Sequence, residues 1–451
     1  MRLPAVPGRD SLPDLSRETL LVVALVGGAE FVNHTYLVLF PPILGVLSND
    51  FGVSLATLGI AMGVQGAANT VFQLPFGYLA DNYDRRLALG LSLGLSTASV
   101  FLVAFAPTFE VLLVGQALLG IGIAGHHPAH FPLLADATPE HLRARAFSVR
   151  GFLGSLGFGF PPVFFAAVLG FRGLTWRGAI ALVGAFGALY ALFTLFAFQR
   201  WVGEDVTAPE TGSAGSASAS ADADDPSSAD DAAASSADSS ASRLAGVRRE
   251  LRAVLASPGV LALALLALVA STASWGLTSY AVVLLRQGYG LALDAANLTL
   301  SAMFVVGALA VLVGGDLSDR FSPGPLIVGS YAAVVVFVGL LASTAIPALA
   351  AVACLLVVGG TRALAGPARS KLADGLSARS DLGRTFAVVT VGTMTGSALA
   401  PPLFGALIER SGLRVAFAAI AGISALAVLV TLFVLYRQGT GRSARAGVEA
   451  E

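Results

Sequence analysis

A glutamate and four histidines stand inside long apolar runs of this chain, and two arginines stand near or within others. Glu30 and His34 are one helical turn apart and share a face, with Asn33 beside them. A second group reads Gly125-His126-His127-Pro128-Ala129-His130; His126 and His130 share a face, while His127 points elsewhere. An ionisable side chain in hydrocarbon costs about 2.5–3.5 kcal/mol on insertion scales, so such positions are functional candidates. Histidine titrates near neutral pH, which suits handling of a proton or of a substrate. Hydrogen bonding between helices is the plainer alternative. Two histidines and a glutamate also have the residue types of a metal site. Span 4 offers no third convincing ligand, so no metal and no cofactor are expected. Arg362 lies deep in a later run and must face a cavity, an anionic substrate or a carboxylate, with Glu30 one candidate partner. Arg150 sits one turn into its run and is expected to snorkel to the surface.

The elements that must hold these groups are membrane helices. Of 451 residues, 55% are apolar and only 12% charged, against about 25% charged in a soluble domain. Mean hydropathy is +0.78. The net charge of −1 gives no sign of a nucleic-acid partner. Cys354 is the single cysteine and reads as a small packed residue, which excludes a disulfide framework. A helix needs about 20 apolar residues to cross the bilayer. Twelve runs meet this, near 20–47, 55–80, 87–106, 109–133, 146–169, 178–200, 259–286, 295–318, 324–343, 346–370, 385–408 and 414–437; they are called spans 1–12 below. The expected class is an all-α membrane protein. Pro41-Pro42 should bend span 1. Arginines concentrate on one side, which predicts a multi-pass protein of the cell membrane with both termini cytoplasmic.

The chain repeats itself. Gly77-Tyr-Leu-Ala-Asp81, followed by Arg85 and Arg86, returns as Gly315-Asp-Leu-Ser-Asp319-Arg320. The offset is 238 residues, since 315 − 77 and 319 − 81 agree. Leu134-Ala135-Asp136 and Leu372-Ala373-Asp374 keep the same offset. Two six-span halves in parallel follow: 20–200 and 259–437, with a tail at 1–19, a linker at 201–258 and a second tail at 438–451. Residues 203–242 are rich in Asp, Ser and Ala and read as a solvated tether; 243–256 read as a short basic helix. Glu30 and His34 have Leu268 and Thr272 as repeat partners, so this charge belongs to one half only.

These features resemble the major facilitator superfamily of secondary transporters. The loop after span 2 is similar to its signature G-x-L-a-D-r-x-x-R-R at Gly77, Leu79, Asp81, Arg85 and Arg86; Asn82 replaces the usual arginine. The resemblance implies two six-helix bundles around a midplane cavity with alternating access. It also implies that the repeated loops act as latches, with Asp81 set against the end of a second-half span and Asp319 doing the mirror job. Gly77 would let a neighbouring helix pass close. Drug exporters of the superfamily carry R-x-x-Q-G-x-G in span 4; here Gln116 stands in the arginine position and Leu119 in that of the glutamine, so an arginine-centred coupling site does not carry over. The glycines Gly151, Gly154, Gly157 and Gly159 before Pro161-Pro162 loosely match the exporter span 5 and allow close helix packing. His-Pro-Ala in span 4 shows a short local resemblance to fosmidomycin-resistance-type exporters.

The expected function is proton-coupled efflux of a small organic solute by a monomer. Glu30, Asn33, His34, His126, His127, His130 and Arg362 are the substrate or coupling candidates. Gln65, Asn69 and Gln73 repeat every four residues as a polar stripe on span 2, and with Gln116, Trp275 and Tyr280 form a set of cavity candidates. An organic-anion uptake or exchange carrier is the alternative, and a receptor on the same scaffold is the reading from another class. No enzyme is expected, because no nucleophile–base pair or nucleotide loop is present.

Overall fold

Short polar residues start the helices. Ser16 accepts from the Thr19 amide at 3.0 Å, and Ser54 from the Thr57 amide at 3.2 Å. Asp84 accepts from the amides of Arg86 and Leu87. Each satisfies donors that the first turn leaves unpaired. The apolar runs then continue as helices in a computed structural model that describes residues 16–170, 174–207, 258–376 and 382–448. Among those residues there is no strand. The 201–258 linker, apart from its ends, and most of the N-terminal tail therefore lie outside the described residues, and the C-terminal tail is described to residue 448.

The helices follow the twelve runs. Pro323–Ser343 and Ala348–Leu376, for example, are spans 9 and 10. Spans 11 and 12 are one helical stretch, Leu382–Val448, broken at Gly412, whose φ of 84° requires glycine. Span 1 runs as Arg17–Leu37, a 3₁₀ turn at Pro41–Ile43, and Leu44–Phe51, as the proline pair predicts. Span 4 is also divided, into Phe109–Ala124 and His126–Asp136. Pro128 has no N–H to donate to Ala124, so the ladder fails at this point.

Glycine sets the packing. A Cβ on Gly154 of span 5 would lie 2.6 Å from His34 Nδ1 and 2.8 Å from Glu30 Cγ, so span 5 lies against span 1. In the second half, a Cβ on Gly392 or Gly396 would lie 2.5 Å from the Ala264 or Leu268 carbonyl, so span 11 lies against span 7. Gly154 and Gly392 keep the 238-residue offset. Between the halves, span 2 meets span 11 and span 5 meets span 8. A Cβ on Gly59 would be 2.5 Å from the Pro401 carbonyl oxygen, and one on Gly66 would be 2.8 Å from Ala398 Cα. Ser301 donates to the Gly159 carbonyl across the other interface at 2.7 Å.

These cross-half contacts gather toward the end carrying Ser54, whose hydroxyl donates to Glu409 at 2.9 Å. At the opposite end Asp81 is exposed and has no ion-pair partner among the described residues. Among the described residues, the expected contact of Asp81 with the second half is thus not made in this conformer. Arg85 is the buried member of its loop; it pairs with Asp136 of its own half and donates to the Val206 carbonyl at 3.3 Å. Arg86 pairs locally with Asp84 at 3.3 Å. Gly77 is not at a close approach, because a Cβ there would meet only Pro128 at 4.0 Å. In the second loop Arg320 is exposed and ends its helix, while the surroundings of Gly315 and the side chain of Asp319 lie outside the description.

Candidate functional site

Glu30 is fully buried in span 1, and one guanidinium and three imidazoles surround it. His126 Nε2 is 2.9 Å from Oε2, and His130 Nε2 is 3.7 Å from the same oxygen. His34 Nε2 is 3.6 Å from Oε1. Arg150 Nη2 is 3.0 Å from Oε1, and its Nη1 is 2.9 Å from His130 Nε2. The break in span 4 places these histidines: the second segment begins at His126 and turns His126 and His130 together toward span 1. Asn33 donates to the Ile123 carbonyl at 3.4 Å, next to that break. It therefore supports span 4 and does not face the cavity.

Arg150 corrects an expectation. It does not snorkel to the surface: its side chain is 14% exposed and turns inward onto Glu30, with its guanidinium 4.5 Å from the centre of the Phe131 ring. The physical reason is that a buried carboxylate needs a compensating cation, and Arg150 is i, i+4 from Gly154, on the face that meets span 1. Arg362 is consequently not the partner of Glu30; it bonds Ser274 of span 7 in the other half.

A central cavity of about 190 Å³ opens beside this network. His34 and His127 reach it from the first half, with their rings 6.4 Å apart. His126 and His130 lie behind them, buried and outside the lining, so of the three span-4 histidines only His127 faces the cavity. Gln65 and Asn69 line it from span 2, and Thr393 and Ser397 from span 11. Phe158 stacks on His34 at 4.1 Å between centroids and meets Trp275 edge-on at 6.2 Å, making an aromatic wall. Gln73 lies farther along the stripe and contacts the Met394 sulfur at 2.8 Å. Two candidates are elsewhere. Tyr280 is buried and donates to the Pro401 carbonyl at 2.6 Å, a packing role. Gln116 is buried and absent from the lining.

Glu30, His126 and His130 bring one ligand atom each within 4.8 Å of one another, a separation a metal ion could bridge. The donor set argues against a resident cation: Arg150 already supplies positive charge to Glu30, and its N–H faces the His130 nitrogen that would have to coordinate. The arrangement is a buried carboxylate held among imidazoles and one fixed guanidinium charge.

None of this network is repeated. Adding 238 to Glu30, His34, His126, His130 and Arg150 gives Leu268, Thr272, Leu364, Ala368 and Val388. Thr272 bonds back to the Leu268 carbonyl of its own helix. The two halves share a scaffold and differ in charge.

Comparison with known proteins agrees with the architecture. The inner membrane transport protein YajR of Escherichia coli is 32% identical over 132 residues, 29% of each chain. The nitrate/nitrite transporter NrtP of Picosynechococcus is 29% identical over 184 residues, 35% of this chain and 34% of its own. The quinolone resistance protein NorA of Staphylococcus aureus is 27% identical over 117 residues, 26% of this chain and 30% of its own. The matches thus span about a third of these relatives' length. Among solved structures, a bacterial homologue of the lysosomal transporter Spinster, inward-facing and occupied, superposes with a TM-score of 0.72 at 17% identity, covering 93% of this chain and 97% of that one. A D-xylose–proton symporter superposes with a TM-score of 0.70 at 16% identity, covering 92% and 96%. The family model described as Major Facilitator Superfamily matches residues 26–368 and 263–450. The chain belongs to the major facilitator superfamily, a family of membrane transporters and not of enzymes.

Proposed function

We propose that this transporter exports a small organic solute in exchange for protons, and that Glu30 is the coupling carboxylate. The observation that carries the reading is the position of Glu30: fully buried, held by Arg150 and His126, and joined to the cavity through His34. His34 is 15% exposed and lies between cavity and carboxylate, so it is the bridge along which a proton would travel. Protonating Glu30 removes the charge that holds Arg150, and so loosens span 5 against span 1. Span 5 is also one side of the interface with span 8, so the same event reaches the surface along which the halves rock. The export direction is supported by the similarity to NorA over 117 residues. The arginine asymmetry puts the Asp81 end in the cytoplasm, which makes this conformer inward-facing.

The test uses proteoliposomes holding the purified protein and a lumenal pH dye. A panel of drugs, sugars and organic acids is added to wild type and to Glu30→Gln. Solute-triggered proton flux that vanishes in Glu30→Gln is expected. Transport by Glu30→Gln with unchanged rate and pH profile would refute the coupling role.

A further inference from the structure

The charged groups of the second half are left unexplained by proton handling. Arg362 and Arg369 of span 10 are seven residues apart, two helical turns and about 10 Å along one face. Neither has a carboxylate partner among the described residues. Among the described residues Arg362 bonds the Ser274 hydroxyl, one residue before Trp275 of the cavity wall, and itself stands just outside the lining. Arg369 lines a second cavity of about 90 Å³ together with Ser370 and Thr393, and its Nε is buried without a partner. Thr393 lines both cavities, so the two adjoin. No acidic side chain lines either one among the described residues.

Guanidinium stays charged at all accessible pH. Glu30 is engaged in the first half and cannot serve as the missing anion. Among the described residues neither guanidinium meets a carboxylate, and each is a fork of donors suited to planar or tetrahedral oxyanions; Arg369 stands beside Ser370 and Thr393, and Arg362 beside Ser274.

We infer that the transported solute carries an oxyanion, a carboxylate or a phosphonate, on a small apolar body. Arg362 takes the anionic group beside the central cavity, and Arg369 takes it at the second cavity. The first half then handles protons and the second handles the anion. This rests on the transporter reading above and adds its substrate class. It also gives the coupling an electrostatic sense, because charge arriving on one side of the cavity accompanies charge changing on the other.

The experiment uses the full chain in lipid nanodiscs at constant ionic strength. Benzoate and phenylphosphonate are titrated, with benzamide as neutral isostere and chloride as control, and binding is read by tryptophan fluorescence and thermal shift. At least one oxyanion is expected to bind, with benzamide and chloride at least tenfold weaker. Arg362→Gln should weaken the oxyanion at least tenfold, and Arg362→Lys should recover part of the loss, which separates lost charge from lost folding. Arg369→Gln should slow oxyanion counterflow in liposomes more than it weakens binding. Glu30→Gln should keep oxyanion binding and lose proton flux. Benzamide or chloride binding as well as the oxyanions, binding of none of them, or an unchanged affinity in Arg362→Gln would overturn the inference. Arginine-dependent oxyanion binding without proton movement would instead remove proton coupling and leave this inference standing.

Discussion

Removing Arg150 strands a fully buried carboxylate. Its Nη2 is 3.0 Å from Glu30 Oε1, and the two side chains are 14% and 0% exposed. At an effective dielectric near 20, opposite unit charges at that distance attract by about 5–6 kcal/mol. His126 at 2.9 Å and His130 at 3.7 Å share the same carboxylate and take up part of the loss. Breaking one side of a buried pair costs about 3–5 kcal/mol in proteins, so Arg150→Met should destabilise by about 3 kcal/mol. Glu30→Gln alone leaves Arg150 facing a neutral amide and should cost about 2 kcal/mol on the same grounds. The double variant removes both charges, so its cost should fall well short of the sum, with a coupling energy of about 2 kcal/mol. The assay is reversible unfolding of the four proteins in mixed detergent–SDS micelles. Additivity within about 0.5 kcal/mol would refute the pairing.

Other outcomes follow from close contacts. Gly154→Val would press a branched side chain where a Cβ alone lies 2.6 Å from His34 and 2.8 Å from Glu30; transport should fall at least tenfold, and transport within twofold of wild type would contradict the packing. His34→Ala removes both the 3.6 Å approach to Glu30 and the stack on Phe158; solute-coupled proton flux should fall more than solute binding, as read by paired flux and binding measurements. For the conformer, Cys354 is first replaced by alanine. Ser54→Cys with Glu409→Cys, bridged by a short bis-methanethiosulfonate, should then arrest transport reversibly, because Ser54 and Glu409 meet at 2.9 Å across the closed end. Turnover by the bridged protein would show that this end does not open.

Local signals carried the scaffold. Apolar run length placed the helices, Pro41-Pro42 marked the break in span 1, and the 238-residue repeat gave two halves. Glu30, His34 and the i, i+4 histidines were legible because ionisable groups stand out in hydrocarbon, and the structure brings all four together. Arg150 was not, because snorkelling is judged from distance to a helix end, whereas its true partner is 120 residues away in sequence (150 − 30). A signal was available: Gly154 one turn on marks the face of span 5 that meets span 1. Tyr280 could not be placed, because an aromatic in a membrane helix gives no sign of which face it takes. Its hydroxyl finds the Pro401 carbonyl on span 11.

The deeper regularity is the contrast between repeated backbone and unrepeated charge. Gly154 and Gly392, 238 residues apart, give each half the same close crossing, span 5 on span 1 and span 11 on span 7. Small residues at such crossings are a packing requirement common to both halves. Burying a charge has no packing benefit and costs free energy wherever it is done. A cost taken on in one half, at Glu30 and Arg150, and a different one in the other, at Arg362, therefore cannot come from the architecture, which would be served equally by Leu268 and Val388. On the reading proposed above, it is offset when the protein works, by a proton accepted on one side of the cavity and a ligand on the other. If that is right, replacing each half's charges by its repeat partner's apolar residues should leave a stable, correctly packed bundle that no longer transports.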